Sequence, residues 1–125
     1  MNTISYFEIQ ADDCKATAAF YNAVFGWSFT PQQGMPIEYW RIETPGIAGG
    51  LLKRPVPTPP KPAGTNAYVC SIEVEDFDVT AKVVLGKGGQ VAMAKFAVPG
   101  RCWQGYFIDP AGNTFGVFEV DVAAK

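Results

Sequence analysis

The 125-residue chain contains no histidine. That absence removes the Ser-His-Asp triad, the histidine-activated cysteine nucleophile and any imidazole metal ligand. Cysteine is scarce as well. Cys14, Cys70 and Cys102 are odd in number and widely separated, so they form neither a disulfide framework nor a Cys-x-x-Cys zinc pair, and they fit a reducing cytoplasm. No apolar run approaches the roughly 18 residues of a membrane span. The N-terminus, MNTISYFEIQ, lacks the basic start and apolar centre of a signal peptide. The expectation is a cytoplasmic protein with no membrane partner. Basic charge is also limited: 10 Lys and Arg against 12 Asp and Glu give a net charge of −2. A nucleic-acid partner would need a basic face, so this balance argues against one. Gly86-Lys87-Gly88-Gly89 lacks the spacing of a phosphate loop and reads as the exit of a helix.

What is present suffices for one compact core, with 48% hydrophobic and 14% aromatic residues in a chain of single-domain length. The most legible stretch runs from Arg101 to Val120. Two runs rich in aromatic and β-branched residues, Trp103 to Ile108 and Thr114 to Val120, flank Asp109-Pro110-Ala111-Gly112-Asn113, which predicts a β-hairpin. A fainter copy lies upstream. Glu43, Gly46 and Gly50 precede Asp109, Gly112 and Gly116 by 66 residues, and Asp13 precedes Asp76 by 63. The chain therefore reads as two half-length units, each strand, helix, then strands.

In the first unit Ile4 to Gln10 alternates, with Phe7 and Ile9 on one face and Tyr6, Glu8 and Gln10 on the other. A helix follows, capped by Asp12 or Asp13, with Ala16, Ala19, Phe20, Ala23 and Val24 as its apolar stripe and Gly26 as its end. Segments 27–30, 37–43 and 47–53 are strands. The stretch from Arg54 to Thr65 holds five prolines, which excludes helix and central strand and marks a connector. In the second unit Tyr68, Cys70, Ile72 and Val74 alternate with Val69, Ser71 and Glu73. Asp76 caps a helix with Phe77, Ala81, Val84 and Leu85 inward, and 90–95 is a strand. The pattern is βαβββ twice, mixed α+β, with module one at 1–54, the connector at 55–65 and module two at 66–120.

The strand faces turned away from the helices carry Tyr6, Glu8 and Gln10, then Ser71 and Glu73. Two readings fit: the solvated outside of an open sheet, or the lining of a cleft between sheets that curl together. Glu8 is the candidate of most interest. In an apolar cleft its carboxyl would titrate high enough to act as a general base; otherwise it holds a basic ligand or pairs with Arg41 or Arg54. Tyr39, Trp40, Trp103, Tyr106 and Phe118 lie on or beside the strands that would wall such a cleft, as a small organic ligand requires. Cys14 falls in the first turn of a helix, where the dipole lowers a thiol pKa, but it has no base. Cys70 is expected to be buried on the helix side.

Residues 6–27, YFEIQADD followed after six residues by FYNAVFGW, together with GGLLKR (49–54), VEDFD (74–78) and YFIDPAGNTFGVFE (106–119), resemble the vicinal oxygen chelate superfamily. That superfamily holds glyoxalases, extradiol dioxygenases, fosfomycin-resistance enzymes and bleomycin-resistance proteins. The resemblance implies two βαβββ modules forming a curved mixed sheet with a cleft and helices outside. In metal-dependent members four ligands, usually His and Glu, face the cleft. Here those positions fall on Tyr6, about Gly50, Val69 and Gly116, and Gly50, Val69 and Gly116 offer no ligand side chain. Glu8, Glu73 and Glu119 lie elsewhere, and Glu119 is expected to point away from the cleft. The expectation is no metal and no cofactor. The resemblance further implies a homodimer of bleomycin-resistance type binding a small organic molecule in an aromatic, acidic cleft, with Tyr6, Glu8, Tyr39, Trp40, Arg41, Ser71, Trp103, Tyr106 and Phe118 as ligand contacts. The competing expectation is a glyoxalase-like lyase or isomerase, or a dioxygenase relative, with a displaced metal site or with Glu8 as acid–base catalyst.

Overall fold

The computed structural model of the chain describes residues 1–55 and 68–125. In chain order the elements are β1 (Phe7–Ala11), α1 (Cys14–Phe25), β2 (Ser28–Pro31), β3 (Tyr39–Glu43), β4 (Gly49–Lys53), β5 (Ser71–Glu73), α2 (Phe77–Gly86), β6 (Gln90–Val98), β7 (Cys102–Ile108) and β8 (Thr114–Val120). This is an α+β fold of two tandem βαβββ modules. Each module builds its own four-stranded mixed sheet, in the orders β1-β4-β3-β2 and β5-β8-β7-β6. The first strand of each module runs parallel to the last, and the other neighbours are antiparallel. Apart from Pro55, the expected connector at 55–65 lies outside the described residues.

The helices begin where short acidic side chains satisfy free amides. Asp13 accepts from the Ala16 amide and Asp76 from the Val79 amide, each at 3.0 Å. Helix α1 ends on Gly26 in the left-handed region, at φ 74°. Its buried face differs from the expected stripe: Ala16, Ala19 and Ala23 are exposed, and Cys14, Thr17, Ala18, Phe20 and Tyr21 are buried. Alanine methyls carry little area, so the large rings of Phe20 and Tyr21 decide which face turns inward. On α2, Phe77 and Val84 are buried as expected, but Leu85 is 51% exposed in the last turn. Cys70, immediately before β5, is exposed rather than buried on the helix side.

Helix α1 serves both sheets. Tyr21 stacks on Trp27 at 5.5 Å and meets Phe115 of β8 at 5.7 Å, and Phe20 packs edge-on against Phe115 at 6.1 Å. Phe20, Tyr21, Phe77, Val84, Phe107, Phe115 and Val117 thus form one cluster spanning both modules. A second cluster, around Ala11, Cys14, Ala18, Ile42 and Leu51, fills the space between α1 and its own sheet.

The turn of the second hairpin clamps the modules together. Buried Asp109 accepts from the Tyr21 phenol at 2.8 Å, and its other oxygen accepts from the Ala111 and Asn113 amides at 2.8 and 2.9 Å. The Asn113 amide group donates to the Gln10 carbonyl at 2.7 Å, and Arg54 donates to the Ala111 carbonyl at 2.9 Å.

The equivalence of Glu43 with Asp109 needs correction. Strand pairing sets Gly50 opposite Arg41 and Gly116 opposite Tyr106, an offset of 65 on the third strands and 66 on the last, so the second hairpin is one residue longer. Thr44 occupies the place of Asp109: its hydroxyl accepts from the Gly46 amide at 3.0 Å and donates to the Ile47 carbonyl at 2.7 Å. Gly112 sits at φ 85°, whereas Gly46 is not among the positive-φ glycines, so these two are not equivalent in conformation.

Candidate functional site

Residues paired directly across neighbouring strands share a sheet face. On the face of the first sheet away from α1, the register lines up Glu8, Gly50 and Arg41 across β1, β4 and β3. On the corresponding face of the second sheet it lines up Ser71, Gly116 and Tyr106 across β5, β8 and β7. Each row has glycine at its centre, on the last strand of its module. In both modules a neighbouring polar side chain occupies the space a larger residue would take. A Cβ on Gly50 would overlap the Tyr39 phenol oxygen, and a Cβ on Gly116 would overlap the Ser71 hydroxyl and crowd the Gln104 amide.

The hydrogen bonds over Gly50 have a definite direction. The Tyr39 hydroxyl donates to a Glu8 carboxylate oxygen at 2.8 Å and lies 2.7 Å from the Tyr6 hydroxyl. A phenol has one proton, so Tyr6 must donate to Tyr39. Burial raises the Tyr39 phenol pKa well above the ordinary tyrosine value, and the bonds to Tyr6 and Glu8 raise it further. The group is therefore neutral at physiological pH, with its proton committed to Glu8. Over Gly116 the bonds are longer and uncharged: the Gln104 amide donates to the Ser71 hydroxyl at 3.3 Å and to the Gly105 carbonyl at 3.4 Å.

Of the residues expected to contact ligand, Tyr6, Glu8, Tyr39 and Arg41 belong to the first sheet's open face, and Ser71, Tyr106 and Phe118 to the second's. Tyr106 stacks on Phe96 at 6.3 Å, and Phe118 pairs with Gln104 and Glu73. Arg41 comes within 3.9 Å of Glu43 on an exposed surface, a pair of little energetic weight. Two of the expected residues lie on the helix side. Trp40 pairs with core residue Leu51, and its indole donates to Glu38 at 3.0 Å. Trp103 donates to Asp121 at 3.0 Å and lies under the Lys95 ammonium, 4.8 Å from the ring centroid. The Ala123 amide, and after it the Trp103 indole, hold the Asp121 carboxyl below its ordinary pKa. Gln104 was not anticipated. Its signal was positional: it stands 65 residues after Tyr39, as Asp109 does after Thr44.

Cys14 is buried, and burial pushes its thiol pKa up, contrary to the activation expected at a helix start. Glu119 accepts from the Phe77 amide at 2.7 Å, which commits it to the start of α2.

A family model described as a glyoxalase-like domain matches residues 6–118. The anthracycline biosynthesis protein DnrV of Streptomyces peucetius is 27% identical over 132 residues, covering 94% of this chain and 47% of that protein. The chain thus spans about half the length of the curated relative it matches. A glyoxalase/bleomycin resistance protein/dioxygenase family enzyme from Burkholderia phytofirmans PsJN superposes with a TM-score of 0.71 at 21% identity, over 94% of this chain and 98% of that one. A mutant of the fosfomycin resistance protein FosX from Listeria monocytogenes, complexed with Mn(II) and 1S,2S-dihydroxypropylphosphonic acid, gives a TM-score of 0.78 at 11% identity, over 98% and 95% of the two chains.

The manganese in that FosX complex poses a question of fit. Over Gly50 this chain offers one carboxylate and two phenols whose protons are engaged; over Gly116 it offers a hydroxyl and a carboxamide. Among the described residues no three His, Cys, Asp or Glu converge. A hard divalent ion needs several anionic or well-oriented oxygen donors, and this set does not fit one. The match over residues 6–118 and the shared two-module architecture establish that the chain belongs to the glyoxalase-like domain family, within the vicinal oxygen chelate superfamily.

Proposed function

We propose that this chain is a metal-free small-molecule-binding protein of glyoxalase/bleomycin-resistance type, which takes an organic ligand in an aromatic, acidic cleft against the open sheet faces. The hydrogen-bond polarity around Gly50 carries the reading. Tyr6 donates to Tyr39 and Tyr39 to Glu8, so every free valence of the three groups is a lone pair, and one group is a carboxylate. Such a cluster recognises a donor, best a cationic one, because a charged donor forms the stronger bond. Tyr106, Phe96 and Phe118 supply aromatic surface on the second sheet. The part of DnrV in anthracycline biosynthesis agrees with a small organic ligand.

The working form is a homodimer in the cytoplasm. Val91 and Met93 on edge strand β6 are 49% and 55% exposed, an apolar edge that a second copy would cover.

Binding of 2-phenylethylammonium, 2-phenylethanol and phenylacetate by NMR tests the charge preference. The ammonium should bind tightest and the carboxylate weakest, and Glu8→Gln should erase that order. Equal binding of phenylacetate, or an unchanged order in Glu8→Gln, would sink the reading. One equivalent of divalent metal per chain on elemental analysis would restore the lyase or dioxygenase alternative, with Glu8 as its acid–base group.

A further inference from the structure

The repeat makes two reciprocal contacts between modules, and only one is closed. On the closed side the Asp109–Asn113 turn meets Tyr21, Gln10 and Arg54. On the other side the shorter turn at Thr44–Gly46 faces β5, and the positions corresponding to Tyr21 and Gln10 are Val84 on α2 and Glu73 on β5. Valine offers no phenol to clamp the turn. The first-module turn satisfies itself through Thr44, and among the described residues no hydrogen bond runs from its side chains to module two. The result is a cavity of about 680 Å³ between that turn, the end of α1 and β5.

Its lining has a consistent chemistry. Phe25 and Trp27, stacked at 5.2 Å, form an aromatic wall; Ile72 and Pro45 add apolar surface; Glu73 and Glu75 stand at the margin. Among the described residues neither glutamate has an ion-pair or side-chain hydrogen-bond partner, and no Lys or Arg lines the cavity. The volume lies within the range of organic-ligand sites, roughly 300–1,000 Å³. We propose that this junction cavity is a second ligand site, separate from the cluster over Gly50, for a planar aromatic molecule carrying positive charge. The ring lies along Phe25 and Trp27, where burial and cation–π attraction act together, and the charge faces Glu73 and Glu75.

Proflavine is a suitable probe, being planar, aromatic and cationic at neutral pH, with anthracene-2-carboxylate as the planar anion. Calorimetric titration of the full chain should show proflavine binding and little binding of the anion. Glu73→Gln with Glu75→Gln should weaken proflavine about tenfold, the scale expected for losing charged partners at a partly desolvated site. Glu8→Gln should leave it unchanged, since Glu8 belongs to the other site. The glutamate variants are surface changes, so folding is preserved, and circular dichroism verifies it. No proflavine binding, equal binding of the anion, or loss on Glu8→Gln with none on the double variant would each overturn the second site. Because the charge preference over Gly50 is read with 2-phenylethylammonium and Glu8→Gln, either proposal can fail without the other.

Discussion

The two modules share a plan and differ in what they do with it. Each places a glycine on its last strand, a polar residue opposite it on the first, and a long side chain from the third leaning over the gap. Module one fills the gap with Glu8, Tyr39 and Tyr6, a charged set with directed protons. Module two fills it with Ser71 and Gln104, a neutral set with bonds of 3.3 and 3.4 Å. The turns divide the labour in the opposite sense. Module two's turn carries the buried Asp109 that joins the modules, whereas module one's Thr44 closes only its own loop. Charged, directed polarity on the open face is thus concentrated in one half and the fastening of the fold in the other.

The largest effect should come from breaking the fastening. Asp109→Ala strands the Tyr21 phenol and frees the Ala111 and Asn113 amides in a buried setting, at a cost of about 3 kcal/mol. Thr44→Ala removes the corresponding turn bonds at a more accessible site and should cost below about 1 kcal/mol. Urea unfolding of the two variants measures the difference, and equal losses would mean the turns are equivalent after all. The glycines give a smaller contrast of the same kind. Gly112→Ala forces a side chain into φ 85° and should cost about 1–2 kcal/mol. Gly46→Ala, whose Cβ would meet only the Thr44 hydroxyl at 3.9 Å, should cost a few tenths of a kcal/mol.

The contrast also explains what the sequence could reveal. Alternation and turn chemistry are local, so β1, the second hairpin, the Asp76 cap and, to within one residue, the α1 cap were legible, and the offsets of 66 and 63 residues exposed the duplication. Register is a non-local property. The second hairpin's extra residue shifts the repeat from 65 on the third strands to 66 on the last, so an offset of 66 pairs Glu43 with Asp109 where Thr44 belongs and passes over Gln104. Face assignment followed the same divide. Glu8 and Ser71 could be placed by alternation along their own strands, but Trp40 and Trp103 had to be placed by their partners, and they pair toward the helices. The glycines at 50 and 116 were visible as missing ligands. That Tyr39 and Ser71 fill the vacated space depends on cross-strand neighbours, which a single strand does not show.

The Tyr39–Glu8 bond can be probed more gently. Tyr39→Phe keeps the ring over Gly50 and removes only the hydroxyl, so stability should fall by less than about 1 kcal/mol, while the preference for 2-phenylethylammonium over 2-phenylethanol should change because Tyr6 loses its acceptor. Gln104→Leu, the matching change in module two, should leave that preference alone.

The smallest effect should appear in alkali. Tyr21 and Tyr39 both hold their protons more tightly in the fold than free tyrosine does, through burial first, then through Asp109 for Tyr21 and through Tyr6 and Glu8 for Tyr39. Below pH 10, near the tyrosine value of an unfolded chain, this contributes its full stabilisation. As pH rises past that point the unfolded chain releases protons that the folded one keeps, so stability must fall. Thermal melts between pH 9 and pH 11 should therefore decline, and Tyr39→Phe should decline less steeply because one of the two retained protons is gone. The two tyrosines, both in module one, separate the bond that fastens the modules from the cluster over Gly50: Tyr21→Phe should flatten the decline while leaving ligand preference intact, and Tyr39→Phe should alter both. If Tyr39→Phe flattened the decline and left ligand preference unchanged, the bonds over Gly50 would be structural, and recognition would lie elsewhere on the molecule.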